Sequence, residues 1–319
     1  MSVAELKNKV LFGKAITVEE AESLVFAPLE ELCKAADEIR SRYCGNGFDL
    51  CSIVNGKSGK CGEDCKFCAQ SAHYSACVES YPLMSSDALL RAAEQNAKAG
   101  ALRFSIVTSG KKLCPEEIES LCESVRAVRE KVGIAVCVSV GLVSKKAYSD
   151  LRSAGASRAH CNLETSERYF PKICSTHTYA DKLFVLEAAR SAGLEICSGG
   201  IMGLGESWSD RIALAFALRE LKVKSVPVNF LNPIAGTPFE HNVLLSDDEK
   251  RRAVAVFRFA IPDAAIRLAG GRGLIADKGE GCFKSGANAS ITGDMLTTAG
   301  ISVKTDIELL NKLGYEVRI

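Results

Sequence analysis

The sequence predicts an α/β fold, a closed (βα)8 barrel of the TIM type with an N-terminal helical extension. Short β-branched runs alternate with longer amphipathic stretches, the pattern of repeated βα units around a parallel sheet. Eight strand candidates follow one another in the 319 residues, and no Pro/Gly/Ser-rich linker or low-complexity segment divides them. With 47% of the residues apolar and 25% charged, the chain can bury one large core.

The elements follow in order. Residues 1–47 read as the helical extension, in which Thr17 with Glu20 forms a capping pair, Pro28 opens a helix and Gly45 can close it. Residues 48–319 read as the barrel with a C-terminal cap. Strands are predicted at 48–54, 103–108, 135–140, 158–163, 195–202, 225–230 and 265–269, with a weaker eighth near 289–292. Helices are predicted at 86–99, 115–132, 144–153, 179–192, 207–221 and 246–260, the last opened by a capping box, Ser246 with Glu249.

Composition removes several functions. Forty basic residues balance 39 acidic ones, so no basic stripe suits nucleic acid. No apolar run is long enough to span a bilayer, and the start Met-Ser-Val-Ala-Glu-Leu-Lys lacks the pattern of a signal peptide. The chain is therefore expected in the cytosol. There, 14 cysteines point to metal or sulfur chemistry rather than disulfides, although Cys33, Cys122 and Cys174 read as plain thiols.

Cys61, Cys65 and Cys68 form a CxxxCxxC run in the loop after the first strand, and chemistry in such barrels sits at the C-terminal ends of the strands. Three thiolates are one short of a closed tetrahedral site. A four-iron cluster held by three cysteines keeps one iron open for a small chelating molecule, whereas structural zinc normally takes four protein ligands. A zinc knuckle, a redox thiol group or a metal-storage scaffold is the alternative. Deeper in the barrel, Cys51, Cys137, Cys197 and Arg267 fall on the first, third, fifth and seventh strands, so all four can share one layer. Aliphatic residues normally fill that interior. An anionic iron–sulfur cluster would satisfy three thiols and a buried guanidinium together; the alternative is small core fillers with Arg267 paired to a carboxylate.

The triplet with Phe67 before its last cysteine resembles the signature of radical S-adenosylmethionine enzymes. Adenosylmethionine would then chelate the fourth iron of a [4Fe-4S] cluster and yield a 5′-deoxyadenosyl radical, chemistry that no side chain supplies. Over nearly its whole length the chain resembles the biotin synthase family. The resemblance rests on Cys-Gly-Glu-Asp-Cys-Lys-Phe-Cys-Ala-Gln-Ser (61–71), Asn-Leu-Glu-Thr-Ser (162–166) and Cys-Ser-Gly-Gly-Ile-Met-Gly-Leu-Gly-Glu (197–206). It continues through Val-Pro-Val-Asn-Phe-Leu (226–231), Gly-Thr-Pro (236–238) and Ile-Arg-Leu-Ala-Gly-Gly-Arg (266–272).

That resemblance implies insertion of sulfur into dethiobiotin to give biotin, with two adenosylmethionine cleavages, a low-potential electron donor and a homodimer. It implies that Asn162 and Glu164 meet the ribose and substrate, and that Gly203 lies in the run packing the adenine. Phe67 and Leu231 join the cofactor contacts. Thr108, Ser109 and Gly110 would receive the methionyl ammonium, and Lys182 stands where an arginine usually faces the carboxylate. Asn229 would hydrogen-bond the ureido ring, since its amide offers both donor and acceptor. The pattern departs at Ser105, where a cysteine of the inner [2Fe-2S] cluster is expected. Cys51 is the better replacement, because Cys161 has the wrong alternation. The resemblance is then to the variant with an auxiliary cluster of four irons and five sulfides, held by Cys51, Cys137 and Cys197 with Arg267 offsetting its charge; [2Fe-2S] is the alternative. A hydrogenase maturase or a pyrrolysine-pathway mutase is the nearest competing function.

Overall fold

In the computed structural model of the chain, which describes residues 1–298 and 300–318, a ring of parallel strands closes on itself. The staves are β1 (Gly47–Lys57), β2 (Arg103–Thr108), β3 (Ala135–Ser139), β4 (Ala156–His160), β5 (Glu195–Cys197) continued by β6 (Gly200–Met202), β7 (Ser225–Phe230), β8 (Ala265–Leu268) and β9 (Ala289–Thr292). Pairing of β1 with β9 closes the barrel.

Period-two alternation decides which side chains go where. Phe104 and Ile106, Val136 and Val138, Val226 and Val228, and Ile266 and Leu268 point out into the apolar layer under the helices. The residues between them, Ser105, Cys137, Pro227 and Arg267, point in and line the central cavity. The outer ring contains α4 (Ser86–Ala99), α5 (Pro115–Lys131), α6 (Lys145–Ser153), α7 (Tyr179–Ser191), α8 (Trp208–Glu220) and α9 (Asp247–Ala260), each within a residue or two of its sequence expectation. Before β1, the helices α1 (Val3–Leu11), α2 (Val18–Leu24) and α3 (Leu29–Cys44) pack on one another and on α8 and α9. Thr17 and Glu20 close the expected capping box, and Gly45 ends α3 with φ +61°.

Four details differ from the sequence expectations. The fourth strand is shifted toward the N-terminus and ends at His160, so Asn162 and Glu164 stand in the loop after it. The expected strand 195–202 breaks between Cys197 and Gly200, where the chain presses against its neighbours. A Cβ on Gly199 would lie 1.9 Å from Pro227 O, and one on Gly200 would lie 2.3 Å from Glu164 O. The Ser246 hydroxyl accepts from Glu249 N at 3.2 Å, but the Glu249 side chain pairs with Arg211 at 2.7 Å instead of closing a box. A short helix, α10 (Glu280–Phe283), connects β8 to β9, and beyond the barrel α11 (Val303–Lys312) leads to a short unpredicted strand, β10 (Glu316–Val317), which pairs with β1.

Because the contact at Gly199 is with backbone and cannot yield, Gly199→Ala should destabilise the protein by about 3 kcal/mol or more, read from urea denaturation. Gly62→Ala, whose Cβ meets nothing within 4 Å, should leave the midpoint nearly unchanged.

Candidate active site

The cysteine triplet lies at the mouth, on a loop held mainly by its own backbone. Cys61 N donates to Gln70 O at 2.9 Å, Ala72 N to Cys61 O at 2.7 Å, and Cys68 N to Cys65 O at 2.9 Å. The loop is tied to the segment after β4, where the Asp64 carboxylate accepts from Ser175 N at 2.8 Å and Thr176 N at 3.1 Å. Ser109 Oγ, just past β2, donates to Gly59 O at 2.8 Å, which sets Thr108, Ser109 and Gly110 beside the same loop.

Next to Cys65 stands a group that the sequence reading treated as ordinary. Cys174 Sγ lies 3.8 Å from Cys65 Sγ and 3.3 Å from His177 Nδ1, and that nitrogen lies 2.5 Å from Glu63 Oε2. The donor atoms of Cys65, Cys174 and His177 lie within 4.8 Å of one another. The hydrogen bond donated by Cys65 holds the Cys174 thiol down to about 4 against the opposing effect of burial, with His177 assisting. The Cys-x-x-His spacing of 174–177 was the available signal.

Inside the barrel, register fixes the layers. Cys51 pairs with Arg103 and Ile53 with Ser105, while Ser105 pairs with Cys137. Cys137 pairs with Arg158, His160 with Cys197, Cys197 with Ser225, and Pro227 with Arg267. Arg267 then pairs with Ala289, and Ile291 returns to Cys51. Each step from Cys51 to Cys137, Cys197, Arg267 and back advances two residues per two staves, the stagger that a barrel of shear 8 gives one layer. The four residues therefore form one layer, as expected. By the same count Ser105, His160, Pro227 and Ile291 form the layer nearer the mouth, and Arg103 and Arg158 belong to the layer below.

These layers surround a cavity of about 360 Å³ that reaches up to Phe67, Cys68, Asn162, Glu164, Asn229 and Leu231. Arg267 is 2% exposed and is not unpaired. Its Nη2 lies 2.7 Å from Asp49 Oδ2, and Nη1 donates to Asp49 O and Ser290 O. The same carboxylate oxygen takes Arg103 at 3.1 Å and Arg158 at 3.5 Å, while Oδ1 has no partner. Arg158 also pairs with Glu195, whose side chain is 61% exposed. Three guanidiniums thus face one buried and one solvated carboxylate. Burial alone would push the Asp49 carboxyl up, but Arg267, Arg103 and Arg158 hold it below its usual value.

The thiols respond to that surplus. Burial pushes Cys197 up, but His160 and the arginines bring it to about 7. The Cys51 and Cys137 thiols act on each other, which raises Cys51 and lowers Cys137. Three cysteine sulfurs and an excess of buried positive charge form a donor set that fits an anionic iron–sulfur group. Neither Asp49 nor Arg158 was singled out from the sequence. Both face inward by alternation, Asp49 with Cys51 and Arg158 with His160, which was the signal available.

Above the cysteine layer, His160, Asn162 and Glu164 face the cavity, continuing past the strand's end the alternation that Arg158 begins below it. Asn162 Oδ1 accepts from Gly199 N at 3.0 Å, and Glu164 adopts φ +69°. Its Oε2 is buried without a partner, an acceptor that fits a hydroxyl-bearing ligand. Burial raises the Glu164 carboxyl, with Lys182 and His160 opposing. Lys182 is not an exposed helix lysine. Burial pulls its ammonium down, but Cys161, Glu164 and Cys65 raise it to about 12. Asn229 is already engaged, donating to Gly200 O at 3.0 Å and accepting from Gly270 N at 2.8 Å, which leaves one N–H and one lone pair for a ligand. Gly203, at φ +97°, packs against Leu231.

A CxxxCxxC loop at the mouth of a parallel barrel is the pattern of a radical adenosylmethionine enzyme, and residues 57–218 match the radical SAM superfamily. Residues 227–316 match the biotin and thiamin synthesis associated domain. Biotin synthase 2 of Corynebacterium diphtheriae is 54% identical over 100% of this chain and 97% of its own length. Biotin synthase of Akkermansia muciniphila is 54% identical over 99% and 98%. The chain belongs to the biotin synthase family. Among solved structures, methylornithine synthase superposes with a TM-score of 0.85 at 20% identity, covering 98% of this chain and 97% of that one. A maturase of the [FeFe]-hydrogenase gives 0.84 at 20% identity over 98% and 74%. At that identity they share the fold. No helix among the described residues is long and apolar enough to cross a membrane.

Removing the carboxylate at the barrel's floor should be costly. Asp49→Asn leaves three guanidiniums with only the solvated Glu195 as a carboxylate partner, and the cluster-free protein should lose about 3–5 kcal/mol at pH 7. Because the folded-state value is depressed, this contribution is complete above about pH 4 and drains as pH falls through it. The gap between wild type and Asp49→Asn, measured by urea denaturation, should therefore narrow in acid.

Proposed function

We propose that this chain inserts sulfur into dethiobiotin to give biotin, as a radical adenosylmethionine enzyme with two iron–sulfur sites. The observation that carries the reading is the layer of Cys51, Cys137 and Cys197 with Arg267, set over a surplus of guanidinium and directly below the substrate-sized part of the cavity. When bound, a [4Fe-4S] cluster with adenosylmethionine at Cys61, Cys65 and Cys68 supplies hydrogen abstraction from saturated carbon, and an inner cluster supplies sulfide.

The chain's own residues bind, orient and exclude water. Glu164 offers its unpartnered oxygen, with Asn162 beside it, to the ribose hydroxyls. Lys182 answers the methionyl carboxylate as a point charge, without the fork of an arginine. The backbone of Thr108, Ser109 and Gly110 takes the ammonium, and Phe67, Gly203 and Leu231 pack the adenine. Asn229, held by Gly200 and Gly270, presents its remaining N–H and lone pair to the ureido ring. For the inner site we favour four irons with an extra sulfide. All three cysteines lie in one layer around the barrel axis, and Ser105 leaves the next layer without a thiol.

Iron and sulfide analysis of anaerobically reconstituted protein tests this assignment. Wild type should hold about eight irons, and Cys51→Ala should lose about four of them while Cys61, Cys65 and Cys68 keep the rest. Retention of all of them in Cys51→Ala would refute the ligand. With dethiobiotin, adenosylmethionine and a reductant, wild type should form biotin; deoxyadenosine without biotin would mean another substrate.

A further inference from the structure

Cys197 differs from the other two inner cysteines in what its sulfur touches. His160 Nδ1 lies 3.4 Å from Cys197 Sγ, and Ser225 Oγ lies 3.3 Å from it. Cys51 Sγ instead donates to the neighbouring Ser52 O at 3.4 Å, a contact that disappears once the thiol loses its proton. The arrangement around Cys197 is built by the sheet. His160 pairs with Cys197 and Cys197 with Ser225, so the three residues form one row across β4, β5 and β7. Ser225 is fully buried, and the His160 side chain makes no other hydrogen bond among the described residues.

A thiolate bound to iron has no proton and only accepts hydrogen bonds. If Cys197 holds iron, as the proposed function has it, both neighbours must donate. The imidazole proton is then on Nδ1, and the serine hydroxyl turns toward sulfur. Hydrogen bonds to cluster sulfurs draw charge from the ligand and favour the reduced state of the iron it holds.

We infer that His160 is a positioning residue for the inner site: its Nδ1–H, with the Ser225 hydroxyl opposite, fixes the Cys197 sulfur and makes the Cys197 corner the most easily reduced one. This rests on the reading of the inner site given above. It adds a residue from the layer nearer the mouth, where Ser105 also stands, so the layer that lacks a thiol supplies the hydrogen bond instead.

The test is a potentiometric titration of the anaerobically reconstituted full chain, followed by electron paramagnetic resonance. His160→Leu should move the inner site to a lower potential at unchanged iron content, with the mouth site unmoved. His160→Gln keeps an N–H donor and should recover most of the shift. Ser225→Ala should give a smaller shift in the same direction. An unmoved potential in His160→Leu with all iron retained overturns the inference and leaves the inner site standing. Strong nitrogen hyperfine coupling in wild type that vanishes in His160→Leu, together with loss of iron to the level of Cys197→Ala, would make His160 an iron ligand and overturns the inference as well. Iron at the mouth alone in wild type removes the inner site and this inference together.

Discussion

A single carboxylate organises the interior of this barrel. Asp49 draws Arg267, Arg103 and Arg158, from three different strands, onto one oxygen beneath the cysteine layer. Guanidiniums repel one another and keep their charge even when buried, so a low-dielectric interior tolerates them only where the geometry supplies partners. The carboxylate meets that requirement in part, since two carboxylates, one of them in water, face three cations. The remaining positive field is directed at Cys51, Cys137 and Cys197. It favours their thiolate forms and any anionic group they hold. The wall of the cavity is therefore prepared for a cluster by the protein's own charges.

That polar interior is tolerable because the stabilising burial is elsewhere. On every stave, alternation sends one face outward into the layer of Phe104, Val136, Val226, Ile266 and their neighbours beneath the helices, and the other face into the cavity. The outward face carries the apolar burial that drives folding. The inward face is thereby freed to carry arginines and thiols. The two faces share a backbone, so a register slip of one residue would exchange them.

The same alternation explains what the sequence made legible. Runs such as Arg103-Phe104-Ser105-Ile106 and Ala265-Ile266-Arg267-Leu268 announce both a strand and its inward residues, so the barrel and the layer of Cys51, Cys137, Cys197 and Arg267 could be read directly. What could not be read depends on distant partners. The break at Gly199 comes from Pro227, and Glu249 leaves its helix cap for Arg211. Cys174 looked like filler because Cys65 is 109 residues away in sequence. Nothing local marks Asp49 either, because its three arginine partners come from other strands.

The serine at 105 gains meaning from the layers. A cysteine there would stand one layer nearer the mouth than Cys137 and Cys197, beside His160, and the three sulfurs would be spread over two levels. With Cys51 they occupy one level, each from an alternate stave, and the fourth seat belongs to Arg267. A guanidinium in that seat donates to Asp49 and Ser290 and has no lone pair to offer. The layer thus presents three donors and one fixed positive charge, an arrangement that leaves part of any bound cluster without a protein ligand. Above the layer the cavity continues past His160 and Ser105 to Asn162, Glu164 and Asn229. A cluster held by the three cysteines would therefore border the space in which a substrate would sit.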